Sequence, residues 1–295
     1  MPPPRLKKAL GQHHLVAGSL CRPLIEFLQP SGRRVVEVGP GGGVLTAELL
    51  AAGARVLAWE VDLAWAAELR RRGRVWGAGS PASGGGGEGE AGTAARPHGY
   101  AGADGTLAIV VEDALDLPWA RLPAPTLAAG NLPYNIATAL LGALLPHHRR
   151  VPRAAFLVQR EVAERLLAGP GDPAYGSFSV LVAAYARAKP LGRVRRGSFR
   201  PPPKVEGAYV GFELKPPPLP DEEMPAFLAT VRLAFAQRRK TLRNALAAGW
   251  GKEKTADVLA ALGLPEHARA ERLGLPELLA LHSSAQSAEQ PLPER

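Results

Sequence analysis

The six residues from Asn131 to Ile136, Asn-Leu-Pro-Tyr-Asn-Ile, bring an amide, a proline and an aromatic ring together. The Asn131 side-chain oxygen and the Leu132 main-chain carbonyl can both accept hydrogen bonds from one NH2 group. Pro133 fixes its own φ and favours an extended Leu132, which can direct that carbonyl outward. Tyr134 offers a flat face on which a base can stack. The segment is suited to hold an exocyclic amine on a planar ring, although asparagine and proline are also common in ordinary turns.

The flanking sequence places this segment at the end of a strand. An apolar run from Thr126 to Gly130 precedes it and predicts a buried strand, and a helical pattern from Ala137 to Leu145 follows it. The C-terminal edge of the strands is where open α/β sheets bind ligands. The position therefore favours a binding or catalytic site over a plain turn.

A glycine-rich turn precedes a second helix. A β-branched run from Arg33 to Val38 leads into Gly-Pro-Gly-Gly-Gly at 39–43, and a helical pattern continues to Ala52. Strand, glycine turn and helix form the nucleotide-binding unit of doubly wound folds, and Gly39 and Gly41 permit positive φ and close approach of a ligand. The dinucleotide motif requires glycine where this chain has Val44, which argues against a nicotinamide-dependent oxidoreductase.

Two carboxylates follow the neighbouring predicted strands. Glu60 ends the strand from Arg55 to Trp59, at the spacing from the glycine turn where a carboxylate can bind ribose hydroxyls. Asp62 is predicted to cap the helix that follows. Asp113 comes at the end of the strand that begins at Leu107. The glycine turn, Glu60, Asp113 and Asn131 should thus meet at one rim of the sheet.

Composition narrows the possible partners and compartments. The 295 residues include 36 Lys and Arg against 27 Asp and Glu, and the net charge of +9 favours RNA or DNA as partner over a membrane. The single cysteine, Cys21, excludes an internal disulfide and a cysteine-based zinc site and fits a reducing cytoplasm. The adjacent His13 and His14 lack further ligands at the usual spacing, so we expect no metal. No apolar run is long enough to span a membrane.

The chain is predicted to have two domains. The expected fold is α/β, a Rossmann-like sheet followed by a small all-α domain, with a boundary at the proline run of residues 215–220. Residues 73–105 hold 12 of the 33 glycines and predict a flexible insertion. The expected parts are an N-terminal arm and helix (1–30), the α/β domain (31–214), the helical domain (221–282) and a disordered tail (283–295).

The helical domain carries the most basic segment of the chain. Residues 232–254 contain seven basic residues and one acid, a net of +6 (7 − 1). A solvated helix face normally mixes the two signs, so this segment predicts a phosphate-binding face. The candidate RNA-binding residues are Arg238, Arg239, Lys240 and Arg243.

A proline-rich loop connects the last two predicted strands. Residues 198–205 read Ser-Phe-Arg-Pro-Pro-Pro-Lys-Val, and three prolines give a stiff, extended loop. Phe199 could form the second face of a base pocket opposite Tyr134. Burial of Phe199 in a rigid hairpin connection is an equal alternative.

These motifs together resemble the ribosomal RNA adenine dimethyltransferase family, in its bacterial small-subunit type. Besides the motifs above, the similarity includes Lys-Lys-Ala-Leu-Gly-Gln-His-His-Leu at 7–15, Gln-Arg-Glu-Val-Ala-Glu-Arg-Leu at 159–166, Tyr-Gly-Ser-Phe-Ser-Val at 175–180 and Phe-Ala-Gln-Arg-Arg-Lys-Thr-Leu-Arg-Asn at 235–244. The last motif and the proline loop distinguish this type from erythromycin-resistance methylases. Two features depart from the family: His14 replaces the usual aromatic residue, and the glycine-rich insertion is unusual.

The resemblance implies a seven-stranded methyltransferase sheet and S-adenosylmethionine as methyl donor. It assigns the donor site to His13, Leu15, Gly39, Gly41, Glu60, Asp113 and Asn131, with Glu60 on the ribose and Asp113 on the donor's adenine amine. The catalytic residues would be Asn131, Leu132, Pro133, Tyr134 and Phe199. The implied substrate is 16S rRNA in the small ribosomal subunit, where two adjacent adenosines near the 3′ end are each methylated twice on N6. We expect a cytoplasmic monomer; an assembly factor that binds the donor without catalysis is the alternative.

Overall fold

The structure is a computed structural model that describes residues 4, 12–77, 100–101, 106–133, 136–237 and 240–287. Contacts within the chain divide it into two compact units. The first unit comprises the residues up to 163 together with 189–214, and the second comprises 164–188 together with the residues from 215 onward.

The first unit contains a mixed β-sheet. The strands of the described residues are β1 (His14–Leu15), β2 (Arg34–Val38), β3 (Arg55–Trp59), β4 (Tyr100–Ala101), β5 (Leu107–Val110), β6 (Thr126–Asn131), β7 (Arg153–Gln159), β8 (Ala186–Val194), β9 (Phe199–Arg200) and β10 (Gly207–Leu214). The larger sheet has the order β4-β5-β3-β2-β6-β7-β10-β8 across this part of the chain. Strands β5, β3, β2, β6 and β7 run parallel, whereas β10 is antiparallel to β7.

Strand β2 is the point where the order of the sheet reverses. The chain proceeds from β2 outward to β3 on one side and later returns to place β6 on the other side. Ligands of open α/β sheets bind at such a switch point, beyond the carboxyl ends of the strands. The central strands are apolar because helices cover both faces of a parallel sheet, and Val35, Val36 and Val38 of β2 are fully buried.

Helices complete both units. In chain order they are α1 (Arg22–Leu28), α2 (Val44–Ala51), α3 (Leu63–Gly77), α4 (Ala137–Leu144), α5 (Arg160–Leu167), α6 (Ser177–Tyr185), α7 (Met224–Phe235), α8 (Leu242–Trp250), α9 (Lys252–Ala261) and α10 (Leu275–Ser287). In the ranges that the structure describes, no helix has the length and apolarity needed to cross a membrane.

The ends of the predicted insertion are ordered elements, which corrects the expected bounds. Residues 73–77 continue α3, and β4 pairs antiparallel with β5. Gly73 does not end the helix, because a Cβ at this position would lie 2.7 Å from Leu107 Cδ2 and the glycine allows α3 to approach the sheet. The remainder of the insertion, 78–99 and 102–105, lies outside the described residues.

The second unit includes a segment that the sequence assigned to the α/β domain. Residues 164–188 belong to this unit, where the Tyr175 hydroxyl donates a 2.9 Å hydrogen bond to the Leu273 carbonyl and its ring packs edge-on against Phe235. The apolar residues of α6 pack on α7 and α10, and this packing explains the difference.

The C-terminal helix is longer than predicted. Residues 283–287, which were expected to begin a disordered tail, form the end of α10. Leu281 and Ala285 are both buried and lie one turn apart, so the apolar face of the helix continues past the polar serines. The rest of the predicted tail lies outside the described residues.

Candidate active site

A cleft opens at the rim where the carboxyl ends of β2, β3, β5 and β6 meet. Its empty volume, which includes open solvent, is about 1020 Å³. The lining includes most of the residues expected at a donor site, namely His13, Gly39, Gly41, Glu60, Asp113 and Asn131. The four strand ends thus converge in the structure.

The glycine turn forms the floor of the cleft between β2 and α2. Gly39 and Gly41 have φ of +63° and +49°, values that side-chain-bearing residues rarely adopt. The Gly39 N–H donates a 2.9 Å hydrogen bond to the Trp59 carbonyl, which ties the turn to β3. The two glycines therefore allow a backbone conformation in which neighbouring groups can approach the turn closely.

Glu60 is a buried carboxylate fixed by main-chain donors. Its Oε2 accepts a 2.9 Å hydrogen bond from the Gly41 N–H, and its Oε1 accepts one of 2.9 Å from the Asp62 N–H. A carboxylate can accept up to about four hydrogen bonds, so a group of this type is suited to bind hydroxyls. Asp62 accepts from the Ala64 N–H at 3.0 Å, which confirms its predicted role as the cap of α3.

Asp113 is a second carboxylate that lines the cleft. Its Oδ1 accepts a 2.9 Å hydrogen bond from the Leu115 N–H and caps a short helical turn, while its carbonyl accepts one of 2.9 Å from the Trp59 indole. The exposed side chain is therefore oriented by its own loop. The adjacent Val61 is 47% exposed and lines the cleft. Val61 was not predicted as a site residue, although an apolar residue between Glu60 and Asp62 at a strand end was a signal.

Asn131 forms the last residue of β6 and lines the cleft with Leu132 and Pro133. The Leu132 N–H donates a 2.9 Å hydrogen bond to the Leu157 carbonyl, which holds this residue in the extended direction of the strand. The Leu132 side chain is 1% exposed and anchors the segment in the core. Tyr134, the expected stacking residue, lies outside the described residues.

The N-terminal arm, defined here as residues 12–16, crosses the cleft. Strand β1 within the arm pairs antiparallel with β9 of the proline-rich loop, with His14 opposite Arg200 and Leu15 opposite Phe199. His13 lines the cleft, whereas the Leu15 side chain is packed in the core and does not line it. Of the two arm residues carried over from the family, the structure brings only the His13 side chain to the cleft.

Phe199 is buried, as one of the two alternatives from the sequence expected, and it also lies at the cleft. Its side chain is 3% exposed and belongs to the core cluster, and it also lines the cleft. A Cβ at the cleft residue Gly207 would lie 3.3 Å from Phe199 Cζ, so the glycine leaves room for the ring. Phe199 therefore forms a buried wall of the cleft.

His14 covers the glycine turn and was missed as a site residue. Its ring packs edge-on against Trp65 with centroids 4.4 Å apart, and a Cβ at Gly41 would lie 2.6 Å from its Nε2. Burial, with the nearby charges of His13 and Arg72, lowers the pKa of His14 to about 4. His14 is therefore neutral at pH 7 and fills the position of the family's usual aromatic ring.

This low pKa gives a testable pH dependence. The unfolded chain binds a proton at His14 near pH 6.5 and the folded protein only near 4, so stability is lost as the pH falls below 6.5. Between pH 8 and pH 5, protonation of the unfolded chain at this histidine lowers the free energy of unfolding by up to about 2 kcal/mol. We expect His14→Phe to abolish this part of the decrease. Unfolding by denaturant at both pH values measures the effect. An equal change in the free energy of unfolding between the two pH values for both proteins would contradict it.

The basic segment predicted to bind RNA, residues 232–254, belongs to the second unit. Lys240 is exposed, and Arg243 of α8 forms an ion pair with Glu266. A shallow groove between α8 and α9 is lined by Arg243, Trp250, Lys252 and Lys254, and the Lys254 ammonium lies 5.7 Å from the centre of the Trp250 ring. Arg238 and Arg239 lie outside the described residues. The groove extends the candidate RNA-binding set beyond the residues that the sequence singled out.

The strand order, the glycine turn and the polar rim define a Rossmann-like methyltransferase fold. Solved structures agree on the fold: a dimethyladenosine transferase from Plasmodium falciparum superposes with a TM-score of 0.70 at 23% identity, covering 91% of this chain and 96% of that one. The 23S rRNA methyltransferase ErmE superposes with a TM-score of 0.62 at 19% identity, covering 97% of this chain and 100% of that one. The short strand β4 adds to the seven strands expected for this fold.

Sequence comparison specifies the family. The profile of the family described as ribosomal RNA adenine dimethylase matches residues 104–282. The ribosomal RNA small subunit methyltransferase A of Acidothermus cellulolyticus is 38% identical over 94% of this chain and 88% of its own length. That of Synechococcus sp. is 37% identical over 95% and 92%. The chain belongs to the ribosomal RNA adenine dimethylase family.

Proposed function

We propose that this protein dimethylates N6 of two adjacent adenosines near the 3′ end of 16S rRNA, with S-adenosylmethionine as methyl donor. The observation that carries the proposal is the position of Asn131, which lines the cleft together with Gly39 and Gly41 of the glycine turn. The relatives are small-subunit rRNA methyltransferases, and they support the choice of substrate. We also propose that the protein acts as a monomer in the cytoplasm.

The polar residues that line the cleft support S-adenosylmethionine as the donor. When bound, this cofactor supplies an electrophilic methyl group on a sulfonium centre. Glu60, which accepts hydrogen bonds from two main-chain donors, would accept the ribose hydroxyls. Asp113, in the loop after β5, would accept the adenine amine. The missing side chain at Gly39 would leave space for the rest of the molecule, whereas His14 lies against Gly41.

The target adenosine would be held by Asn131 and Leu132. The Asn131 side-chain oxygen and the Leu132 carbonyl can accept the two hydrogens of the N6 amine, which fixes the direction of its lone pair. That lone pair is delocalised into the ring, so positioning provides the main rate enhancement. The amine becomes acidic as it is methylated, so no general base is needed before transfer. Phe199 and Tyr134 would offset the cost of removing the base from its stack.

The basic residues of the second unit would bind the rRNA backbone. We expect Arg238→Glu, Arg239→Glu and Lys240→Glu together to weaken RNA binding and reduce the salt dependence of the affinity. Each lost phosphate contact lowers the slope of log K against log salt by about one. Titration of a small-subunit rRNA fragment at several salt concentrations measures both effects.

A control variant reverses two basic residues at the end of β2 that lies away from the cleft. Arg33 and Arg34 are exposed at the start of β2, away from the rim that bears the cleft. Their replacement by glutamate changes the net charge without touching the proposed RNA-binding residues. An unchanged salt slope in the triple variant would place the RNA-binding face elsewhere.

Incorporation of labelled methyl groups tests the proposed substrate. The protein is incubated with methyl-labelled S-adenosylmethionine and either undermethylated small subunits or large subunits. We expect label in the small-subunit rRNA alone. Donor binding without transfer would instead favour an assembly factor that has kept the donor site.

A further inference from the structure

The side-chain amide of Asn131 is held by the N-terminal arm. Its Nδ2 donates a 2.8 Å hydrogen bond to the main-chain carbonyl oxygen of His13. A carbonyl oxygen can only accept, so this contact determines which end of the amide carries the nitrogen. The side-chain oxygen of Asn131 must therefore lie at the end that faces away from the arm.

The orientation of this amide decides whether Asn131 can bind a target amine. The terminal torsion of asparagine is broad and nearly two-fold, so the side chain alone does not select one orientation. When its nitrogen donates to the His13 carbonyl, Asn131 presents its side-chain oxygen as an acceptor on the other side. In the flipped orientation it would offer an NH2 group to an NH2 group, and neither could accept.

The His13 carbonyl is itself held by contacts that do not involve Asn131. The His13 ring Nδ1 lies 2.9 Å from the Pro201 carbonyl, which requires the proton on that nitrogen. The Val16 N–H donates to the Ser198 carbonyl at 3.0 Å, and the Gln12 amide donates to Asp62 at 3.2 Å. The arm thus bridges the loop after β3 and the loop that carries Phe199.

We propose that His13 is a positioning residue: through its main-chain carbonyl, the docked arm sets Asn131 in the orientation that accepts the target amine. This inference rests on the proposed function, because it assigns a role within the same methyl-transfer site. The arm would then have two distinct effects, one on the donor and one on Asn131. Contact with the donor would affect donor affinity, whereas orientation of Asn131 affects the rate at saturating donor.

The test uses Asn131→Asp. Aspartate keeps the size of the side chain, but both of its ends are acceptors and neither can donate to the His13 carbonyl. The side chain therefore loses its anchor on the arm and is no longer held at the target amine. We expect the rate constant at saturating donor to fall about 100-fold, as for a misplaced reacting group. The added charge could also slow transfer, so the substitution is repeated in a protein that lacks residues 1–13.

The two backgrounds distinguish orientation from charge. If the arm acts through Asn131, the protein without residues 1–13 lacks the His13 carbonyl and has already lost the orientation. Asn131→Asp should then change its rate by no more than about twofold. A loss of about 100-fold in both backgrounds would arise from charge at the target and would overturn the proposal.

Hydrogen exchange of the intact chain gives a readout that needs neither activity nor truncation. Asn131→Asp should accelerate amide exchange in the peptide 12–20, because the arm loses an anchor. Gln12→Ala, which removes another arm hydrogen bond, sets the scale of acceleration, and Asn244→Asp on α8 controls for added charge. Unchanged exchange in Asn131→Asp would overturn the proposal. A chain that transfers no methyl groups but shows faster exchange would refute the proposed function and keep the arm–Asn131 coupling.

Discussion

Asn131→Ala is expected to lower the rate of methyl transfer by about 1000-fold, the upper range for loss of one positioned polar group. The variant loses the acceptor for the target amine and also the hydrogen bond to the His13 carbonyl. Donor affinity should fall little, because Glu60, Asp113 and the glycine turn remain. Single-turnover transfer at saturating donor and calorimetry with S-adenosylmethionine measure the two quantities separately.

The same substitution elsewhere in the chain provides the control. Asn244 is exposed on α8 and does not line the cleft, so Asn244→Ala should transfer methyl groups at the normal rate at saturating RNA. Normal turnover by Asn131→Ala would remove Asn131 from the catalytic site. A large loss of donor affinity in Asn131→Ala would indicate that the main role of Asn131 is to bind the donor.

Glu60→Gln is expected to weaken donor binding by about 100-fold, because hydrogen bonds to a charged group contribute about 1.5–3 kcal/mol each. Glutamine has the same size but only one acceptor oxygen, whereas Glu60 already accepts from the Gly41 and Asp62 N–H groups. The amide NH2 would face one of these donors, so the substitution also disturbs the glycine turn. Calorimetric titration with S-adenosylmethionine measures the loss.

Glu112→Gln is the matched control for the loss of a carboxylate. Glu112 is exposed next to Asp113 but does not line the cleft, so its replacement should leave donor affinity unchanged. Thermal unfolding of both variants excludes a general loss of structure. Equal donor affinities for Glu60→Gln and the unchanged protein would refute the ribose contact.

The polar rim could be predicted because it depends on local signals. Glu60, Asp113 and Asn131 each follow a short apolar strand, and parallel strands end at the same edge of a sheet. The cap at Asp62 was predictable for the same reason, since it depends only on the start of α3.

The arm could not be placed from the sequence, because tertiary contacts determine its position. His13 meets Pro201, a partner 188 residues away, and no periodicity in the arm indicates this pairing. Burial of His14 over the glycine turn depends on Trp65 and Arg72, which lie on another element. The length of α3 was missed because glycine is a poor helix former and is common just after the end of a helix. In the structure, Gly73 lies within α3 and packs against Leu107.

Identification of the product nucleoside tests the central claim most directly. Small subunits that lack methylation are incubated with S-adenosylmethionine and this protein, and the digested rRNA is analysed by mass spectrometry. We predict N6,N6-dimethyladenosine at two adjacent positions near the 3′ end of 16S rRNA, and its absence with Asn131→Ala. Methyl groups on another atom or base, or no transfer by the unchanged protein, would contradict the account.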